Sequence, residues 1–329
     1  MRTNGARFID SDPIARLLLL SYFEPDDITK LVRAIRATRT PAGTRIYVGS
    51  YGVNATVSRE VHSLTRGLYA PMFPIKPTSF WTRRRVDAEQ PRYAGKLPSL
   101  TTLLGLPAPE RVAWGRELGR RFRDEIREAE GEGVRVDAWQ FDELVAELSG
   151  SQGRAWRDFT RGALHGLNFG RSEYADGPRV GFVWASRRAL HIAGLRVDAE
   201  LRAFWRALAS ATYGLVGEEY PPFEGNPEDV AREYAAEQRE LARRGAIRKE
   251  LAARYVVGMT PGWHLTRGLG GNVHGWPRSE VNRWRAKYVE ARAGMGVFGF
   301  GAFYFRFENS SEQVMRDTIA GLARGLGKA

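Results

Sequence analysis

The stretch from Arg179 to Pro221 decides the fold, because it contains a strand, a helix and a second strand in that order. It reads "RVGFVWAS" (179–186), then "DAELRAFWRALASA" (198–211), then "YGLVGEEYP" (213–221). The outer segments are short and apolar, as buried strands are, and the middle one has the apolar spacing of an amphipathic helix. Strands joined through a helix pair in parallel. The stretch therefore predicts a βαβ unit.

The same order of strand and helix recurs along the chain of 329 residues. Eight βα units predict an α/β protein with a single (β/α)8 TIM barrel, with residues 1–329 as one domain. The alternative is a doubly wound open sheet, which usually carries a glycine-rich turn after its first strand. Here that turn reads "YFEPDD" and contains no glycine. The eight predicted strands are residues 15–23, 45–53, 68–75, 134–143, 179–186, 213–221, 254–262 and 296–305.

Two connections are longer than the others, and both carry tryptophan. They are the β3–α3 loop, residues 76–107, and the β7–α7 loop, residues 261–278. Loops of this length in a compact fold are often lids or binding loops. The helix that follows the second of them is predicted to begin with Ser279 as its N-cap.

The net charge of +12 is carried almost entirely by arginine, which supplies 44 of the 50 basic residues. Most of these arginines lie in helical stretches among Glu and Ala, as in "RELGRRFRDEIREAE". This pattern favours a solvated surface with ion pairs one helical turn apart. The pattern disfavours a nucleic-acid partner, although an anionic partner remains the alternative.

Cysteine is absent, which excludes disulfides, thiolate chemistry and Cys-ligated zinc. No apolar run approaches about 18 residues, so no membrane-spanning helix is predicted. We expect a soluble protein, either cytoplasmic or secreted with its signal peptide absent from this sequence. The five histidines are too dispersed to favour a metal centre, and "GLGGN" lacks the features of a nucleotide-binding loop. We therefore expect neither a metal nor a cofactor, and the sequence leaves the oligomeric state open.

Acidic residues stand where two of the predicted strands end. The fourth strand, "VDAWQFDE", ends on Asp142 and Glu143, and the sixth ends on Glu218 and Glu219. In (β/α)8 barrels the active site lies at the carboxyl-terminal ends of the strands. Two convergent carboxylates are the minimal requirement for hydrolysis of a glycosidic bond, one as general acid and the other as nucleophile or base. The alternative for a single acid is that it caps the following helix.

Aromatic and polar residues accompany these acids at the same predicted end of the barrel. Exposed aromatic side chains there can stack on the apolar faces of sugar rings, although each tryptophan can equally serve to pack its loop onto the barrel. The candidate substrate-binding residues are Gln140, Tyr51, Trp81, Trp184, Arg187, Trp263, His264, Tyr304, Arg306 and Glu308.

The order of elements and the acidic strand ends resemble glycoside hydrolase barrels. "VDAWQFDE" is similar in position to the strand-four acidic motif of chitinase-like barrels, whose last Glu is the general acid. The resemblance implies that role for Glu143, with Asp142 beside it. The motif is matched in part, because Gln140 stands where an acid is expected, and "VVGMTPGW" supplies no strand-seven carboxylate. The resemblance is to the superfamily and to no particular family.

The sequence thus predicts a glycosidase-like enzyme with a carbohydrate substrate. Two alternatives stay open: a barrel enzyme of another class, such as a lyase, isomerase or aldolase, and a non-catalytic carbohydrate-binding barrel. Lys76, at the exit of the third strand, is the residue that a Schiff-base aldolase would use.

Overall fold

The structure is a computed structural model. It describes residues 16–22, 28–50, 59, 67–72, 100–134, 138–144, 150–167, 180–186, 199, 202–206, 214–245, 247, 249–262, 270–302 and 311–328.

Eight parallel strands pair in the order of the chain, and the first also pairs with the last. The closing pairs join Leu17 to Gly299 and Leu20 to Ala302, which makes the sheet a closed barrel. Parallel α/β architecture, predicted from the alternation of strands and helices, is therefore observed. The strands are β1 (Arg16–Tyr22), β2 (Thr44–Ser50), β3 (Gly67–Met72), β4 (Ala138–Leu144), β5 (Val180–Ser186), β6 (Gly214–Glu218), β7 (Tyr255–Met259) and β8 (Gly299–Ala302).

Helices follow most of the strands. The helix bounds are α1 (Ile28–Ala37), α2 (Leu100–Gly105), α3 (Ala108–Gly131), α4 (Gly150–Leu167), α5 (Pro227–Arg243), α6 (Lys249–Ala252), α7 (Arg278–Ala293) and α8 (Glu312–Lys328).

Side chains of β1, β7 and β8 alternate between two buried layers. Leu18, Val257 and Phe300 belong to the hydrophobic core that also contains helix residues, so they lie between the strands and the helices. Leu19 and Val256 are equally buried but lie outside that cluster. Their register positions belong to the barrel interior, the layer that leads to the candidate site.

Two details differ from the expectations for the loops and helix starts. A helix, α2, occupies Leu100–Gly105 inside the connection predicted as the long β3–α3 loop; the rest of that connection before residue 100 lies outside the described residues. Ser279 is not an N-cap, because α7 begins one residue earlier, at Arg278, and its N-cap is Pro277. Proline suits this place because its fixed φ agrees with helix entry.

Asn226 caps α5, and its side-chain oxygen accepts a hydrogen bond of 2.9 Å from the backbone N–H of Glu228. Replacing Asn226 with Ala leaves that N–H without its partner, and we expect a loss of about 0.5–2 kcal/mol in the free energy of unfolding. Urea denaturation measures the loss. Asn226→Asp is the matched control, because a carboxylate can accept the same bond. Equal losses in the two variants would contradict the capping role.

Helices α3 and α4 pack so closely that their backbones are in contact, because glycines line their interface. A Cβ atom placed on Gly115 would lie 1.9 Å from the carbonyl oxygen of Phe159, and one on Gly162 would lie 2.1 Å from that of Val112. Gly166 faces the carbonyl oxygen of Arg116 in the same way, at 2.1 Å. Only glycine permits this approach of the two helices.

The arginines of α3 form the predicted surface ion pairs. Glu117 is paired with Arg120 at 2.9 Å and with Arg121 at 2.7 Å, one helical turn away. The prediction of a solvated arginine surface is confirmed for this helix. It is wrong for α7, where Arg285 and Arg292 are buried, with exposed fractions of 2% and 0%.

Candidate functional site

The pairing of β4 with β5 is irregular at the predicted acids. Phe141 pairs with Val183 and Leu144 pairs with Ala185, so β4 has two residues, Asp142 and Glu143, where β5 has one. This is the residue count of a β-bulge, which changes the direction of side chains and occurs often at barrel rims and beside active sites. The bulge brings both acids of β4 to the level of a single position of β5, that of Trp184.

The acids of β6 lie on the strand that follows β5 in the barrel, two strands away from the acids of β4. Glu218, the last residue of β6, pairs with Ser186 on one side and with Gly258 on the other. It occupies the register layer of Val216 and Val256, which is the layer of the barrel interior. Glu219 follows in the alternate register position, which it shares with Leu215. Leu215 belongs to the core between the strands and the helices.

Glu219 is buried in a cluster that we call the Glu219 network, made of Glu219, Arg292, Tyr288, Gln238 and Tyr234. Oε1 of Glu219 accepts a hydrogen bond of 2.5 Å from Nη2 of Arg292, and Oε2 accepts one from the hydroxyl of Tyr288. Nη2 of Arg292 also donates to Oε1 of Gln238 at 2.9 Å. The hydroxyl of Tyr234 donates to the backbone oxygen of Glu219 at 2.8 Å.

The Glu219 network lies between the strands and helices α5 and α7. Its carboxylate and guanidinium are 3% and 0% exposed, so a substrate in the barrel does not reach them. This placement argues against a direct chemical role for Glu219, and it leaves Glu218 as the candidate acid of β6.

Burial and charge inside the network shift the pKa values of its members. Burial raises the pKa of the Tyr288 hydroxyl well above its usual value, and the nearby Glu219 carboxylate raises it further. Tyr255, whose ring faces the guanidinium of Arg292, has its pKa raised by the same two causes in the same order. Burial lowers the pKa of Arg292, but Glu219 and the tyrosines outweigh it, and the pKa of the guanidinium is raised.

Alkaline solution should destabilise the protein through these tyrosines. Because the pKa of Tyr288 and Tyr255 is raised in the folded state, their contribution is complete below the unfolded value of about 10 and is lost as pH rises above it. Urea denaturation between pH 8 and 11 should show a falling free energy of unfolding above pH 10. The fall should be smaller in Tyr255→Phe, and an unchanged pH dependence in that variant would contradict this origin.

The exit of β7 is held by the same helix, α7. A guanidinium N–H of Arg285 donates to the backbone oxygen of Pro261, and its charged group lies 5.0 Å from the ring centre of Phe223. Trp284, next to Arg285, donates from Nε1 to the backbone oxygen of Gly225 at 3.1 Å. Helix α7 therefore contacts the segments that follow both β6 and β7.

Part of the β7–α7 loop forms a closed turn. The side chain of Asn272 donates to the backbone oxygen of Trp276 at 2.7 Å and accepts from its backbone N–H at 3.0 Å. The exposed ring of His274 stacks on the half-buried ring of Trp276, with ring centres 4.9 Å apart. Residues 263–269 of this loop lie outside the described part, so the predicted sites at Trp263 and His264 do as well.

The remaining predicted residues divide into two groups. Gln140 lies in β4, paired with Pro71 and Phe182, and Trp184 lies in β5, so both belong to strands that carry the candidate acids or adjoin them. The others lie outside the described residues: Tyr51, Lys76, Trp81, Arg187, Tyr304, Arg306 and Glu308.

Sequence reasoning missed the residues of α7 that surround Glu219. Tyr288 and Arg292 are one turn apart, and Trp284 and Arg285 precede them on the same face. Their spacing with Val281 and Val289 marks one buried face of the helix, and it was available in the sequence. The arginines obscured it, because arginine in a helix usually indicates solvent.

Among the described residues, no group of three or more His, Asp or Glu side chains is arranged to hold a metal ion. The helices in this part of the chain also include none with the length and apolar character to cross a membrane.

Neither a protein-family model nor a curated protein matches the sequence. Among solved structures, native xylanase10C from Cellvibrio japonicus is 8% identical, with 97% of this chain and 72% of that chain covered and a TM-score of 0.47. A GH5-4 broad specificity endoglucanase from an uncultured bacterium is 11% identical, with 91% and 84% covered and a TM-score of 0.43.

Proposed function

We propose that this protein is a glycosidase, a single-domain barrel that cleaves a glycosidic bond with carboxylates of β4 and β6. Glu143 is the general acid, Asp142 supports it, and Glu218 is the nucleophile or base. The observation that carries the proposal is the bulge in β4, which gathers Asp142 and Glu143 opposite one position of β5, with Glu218 at the end of the next strand.

The spacing of the strands suits two-carboxylate chemistry. β4 and β6 are separated by β5 alone, and neighbouring strands lie about 4.8 Å apart, so the two backbones are roughly 10 Å apart. Carboxylates carried by two strands at that separation can lie within the range of about 5–9.5 Å that glycosidases use. Separations near the lower end support retention of configuration, and those near the upper end support inversion.

The residue at the end of β6 is assigned by elimination between neighbours. The Glu219 carboxylate is neutralised by Arg292 and hydrogen-bonded to Tyr288, which removes it from the substrate side. Glu218 holds the register position of the barrel interior. We therefore propose Glu218 as the acid of β6.

A carbohydrate is the substrate class that this proposal requires, and the test begins there. Wild-type protein is incubated with a panel of polysaccharides and aryl glycosides, and released reducing ends or aryl alcohols are measured. A Glu143→Gln/Glu218→Gln variant is the blank, and Glu228→Gln, an exposed acid on α5, is the matched control. Turnover by wild type and control above the blank supports the proposal. Sugar binding without turnover would favour a non-catalytic carbohydrate-binding barrel. A protein that neither binds nor cleaves a sugar would reject both the glycosidase and the carbohydrate-binding barrel.

A further inference from the structure

The residues on either side of Glu218 are both fixed on the helix side of the barrel. A Cβ atom on Gly217 would lie 1.8 Å from the hydroxyl oxygen of Tyr255, so that hydroxyl occupies the space beside the glycine. Glu219 is held at its carboxylate by Arg292 and Tyr288 and at its backbone oxygen by Tyr234. The backbone of Glu218 is therefore anchored through both neighbours.

The backbone beyond Glu219 adopts a conformation that needs such support. Tyr220 has φ of 41°, in the left-handed region that residues other than glycine rarely adopt. Its N–H donates to the backbone oxygen of Gly258 in β7 at 3.2 Å. Strained residues of this kind persist where their surroundings determine the conformation, and they are frequent at functional sites.

The chemistry of the Glu219 network favours a role in orienting the end of β6 over a role in stabilising the fold. Breaking a buried ion pair at one partner is destabilising, yet replacing both partners with neutral groups of similar volume is often neutral, because both charges lose their hydration on burial. Three side chains from two helices, Tyr234 of α5 and Tyr288 and Arg292 of α7, nonetheless contact the one residue that follows Glu218. A further side chain of α5, Gln238, accepts a hydrogen bond from Arg292.

We infer that Glu219 and Arg292 are positioning residues, which hold the end of β6 so that Glu218 meets the substrate in register with the acids of β4. The inference rests on the proposed function. A catalytic group must stay within a fraction of an ångström of its productive position, and a misplacement of about 1 Å can lower a rate about 10²-fold.

The test removes both charges of the network while keeping its volume. In Glu219→Gln/Arg292→Met, the amide can still accept from Tyr288, and no charge is left buried alone. The matched control is Glu240→Gln/Arg244→Met, which removes an exposed ion pair from the end of α5. For each protein, kcat and KM on an aryl glycoside and the midpoint of thermal unfolding are measured.

We expect the network variant to remain folded, with its KM close to that of the wild type and its kcat lowered about 10–100-fold. The control should keep both constants. Arg292 donates to both carboxylate oxygens of Glu219, from Nη2 to Oε1 and from Nε to Oε2. Arg292→Lys retains the positive charge but not this paired contact, and its kcat should fall between those of the wild type and the network variant. A folded network variant with the kcat of the wild type overturns the inference.

Two further measurements keep the outcomes separate. If the double substitution does not fold, Tyr234→Phe replaces it, since this change removes only the hydrogen bond to the backbone oxygen of Glu219. A lowered kcat at constant KM then supports the inference, and an unchanged kcat overturns it. Glu218→Gln is measured beside them. Absence of turnover in the wild type rejects the proposed function itself, whereas turnover that is lost in Glu218→Gln but kept in the network variants rejects only the positioning role.

Discussion

Replacing Glu143 with Gln is expected to lower the turnover of an unactivated glycoside by about 10²–10⁴-fold, the usual contribution of a general acid or base. Glutamine keeps the size and hydrogen-bonding capacity of the side chain but has no proton to give to the leaving oxygen. Glu143 lies beside Asp142 in the bulge of β4, between the paired residues Phe141 and Leu144. The assay is kcat on the polysaccharide that the wild type cleaves best.

The choice of substrate distinguishes the two acids. An aryl glycoside with a good leaving group needs no protonation, so the loss in Glu143→Gln should shrink on it. Glu218→Gln should lower turnover of both kinds of substrate, because the nucleophile or base is required regardless of the leaving group. Full activity of Glu143→Gln on natural and activated substrates alike would remove Glu143 from the mechanism.

Replacing Gly162 with Ala is expected to destabilise the fold by about 1–3 kcal/mol, although alanine is the better helix former. The new Cβ would lie 2.1 Å from the carbonyl oxygen of Val112 and 2.9 Å from the backbone nitrogen of Arg116. These are backbone atoms, which cannot rotate away as a side chain can, so helices α3 and α4 must separate. Urea denaturation measures the change in the free energy of unfolding.

Gly131→Ala is the matched control for this prediction. Gly131 is also helical, at the end of α3, but a Cβ there meets nothing within 4 Å. We expect that variant to be as stable as the wild type or more stable by up to about 1 kcal/mol. A Gly162→Ala protein that behaved like Gly131→Ala would show that α3 and α4 can separate without cost.

The strands of the barrel were predictable because each is a short apolar run between polar segments. The predicted 179–186 compares with the observed Val180–Ser186, and the predicted 15–23 with Arg16–Tyr22. The eighth strand was less accurate at its start, since β8 begins at Gly299, three residues after the predicted first residue, 296. Periodicity identifies a strand well but determines its first hydrogen-bonded residue poorly.

The site was predictable in its location and only partly in its residues. Glu218 and Glu219 are adjacent residues of the same type, so the sequence does not distinguish their roles. Only their tertiary contacts do. Arg292, which binds Glu219, lies 73 positions further along the chain. The bulge in β4 was equally hidden, because it is a property of how β4 pairs with β5 and leaves no mark in the alternation of β4 itself.

The pairing of β1 with β8 has a consequence for how the barrel assembles. Each other neighbouring pair joins consecutive strands, whereas the pair of Leu17 and Gly299 joins residues near opposite ends of the chain. The entropy cost of closing a loop grows by about 0.6 kcal/mol for each doubling of its length, so this contact carries the largest cost of the ring. We expect this seam to form last during folding and to open first, and an ion pair of 2.7 Å between Arg33 of α1 and Glu312 of α8 spans it on the outside.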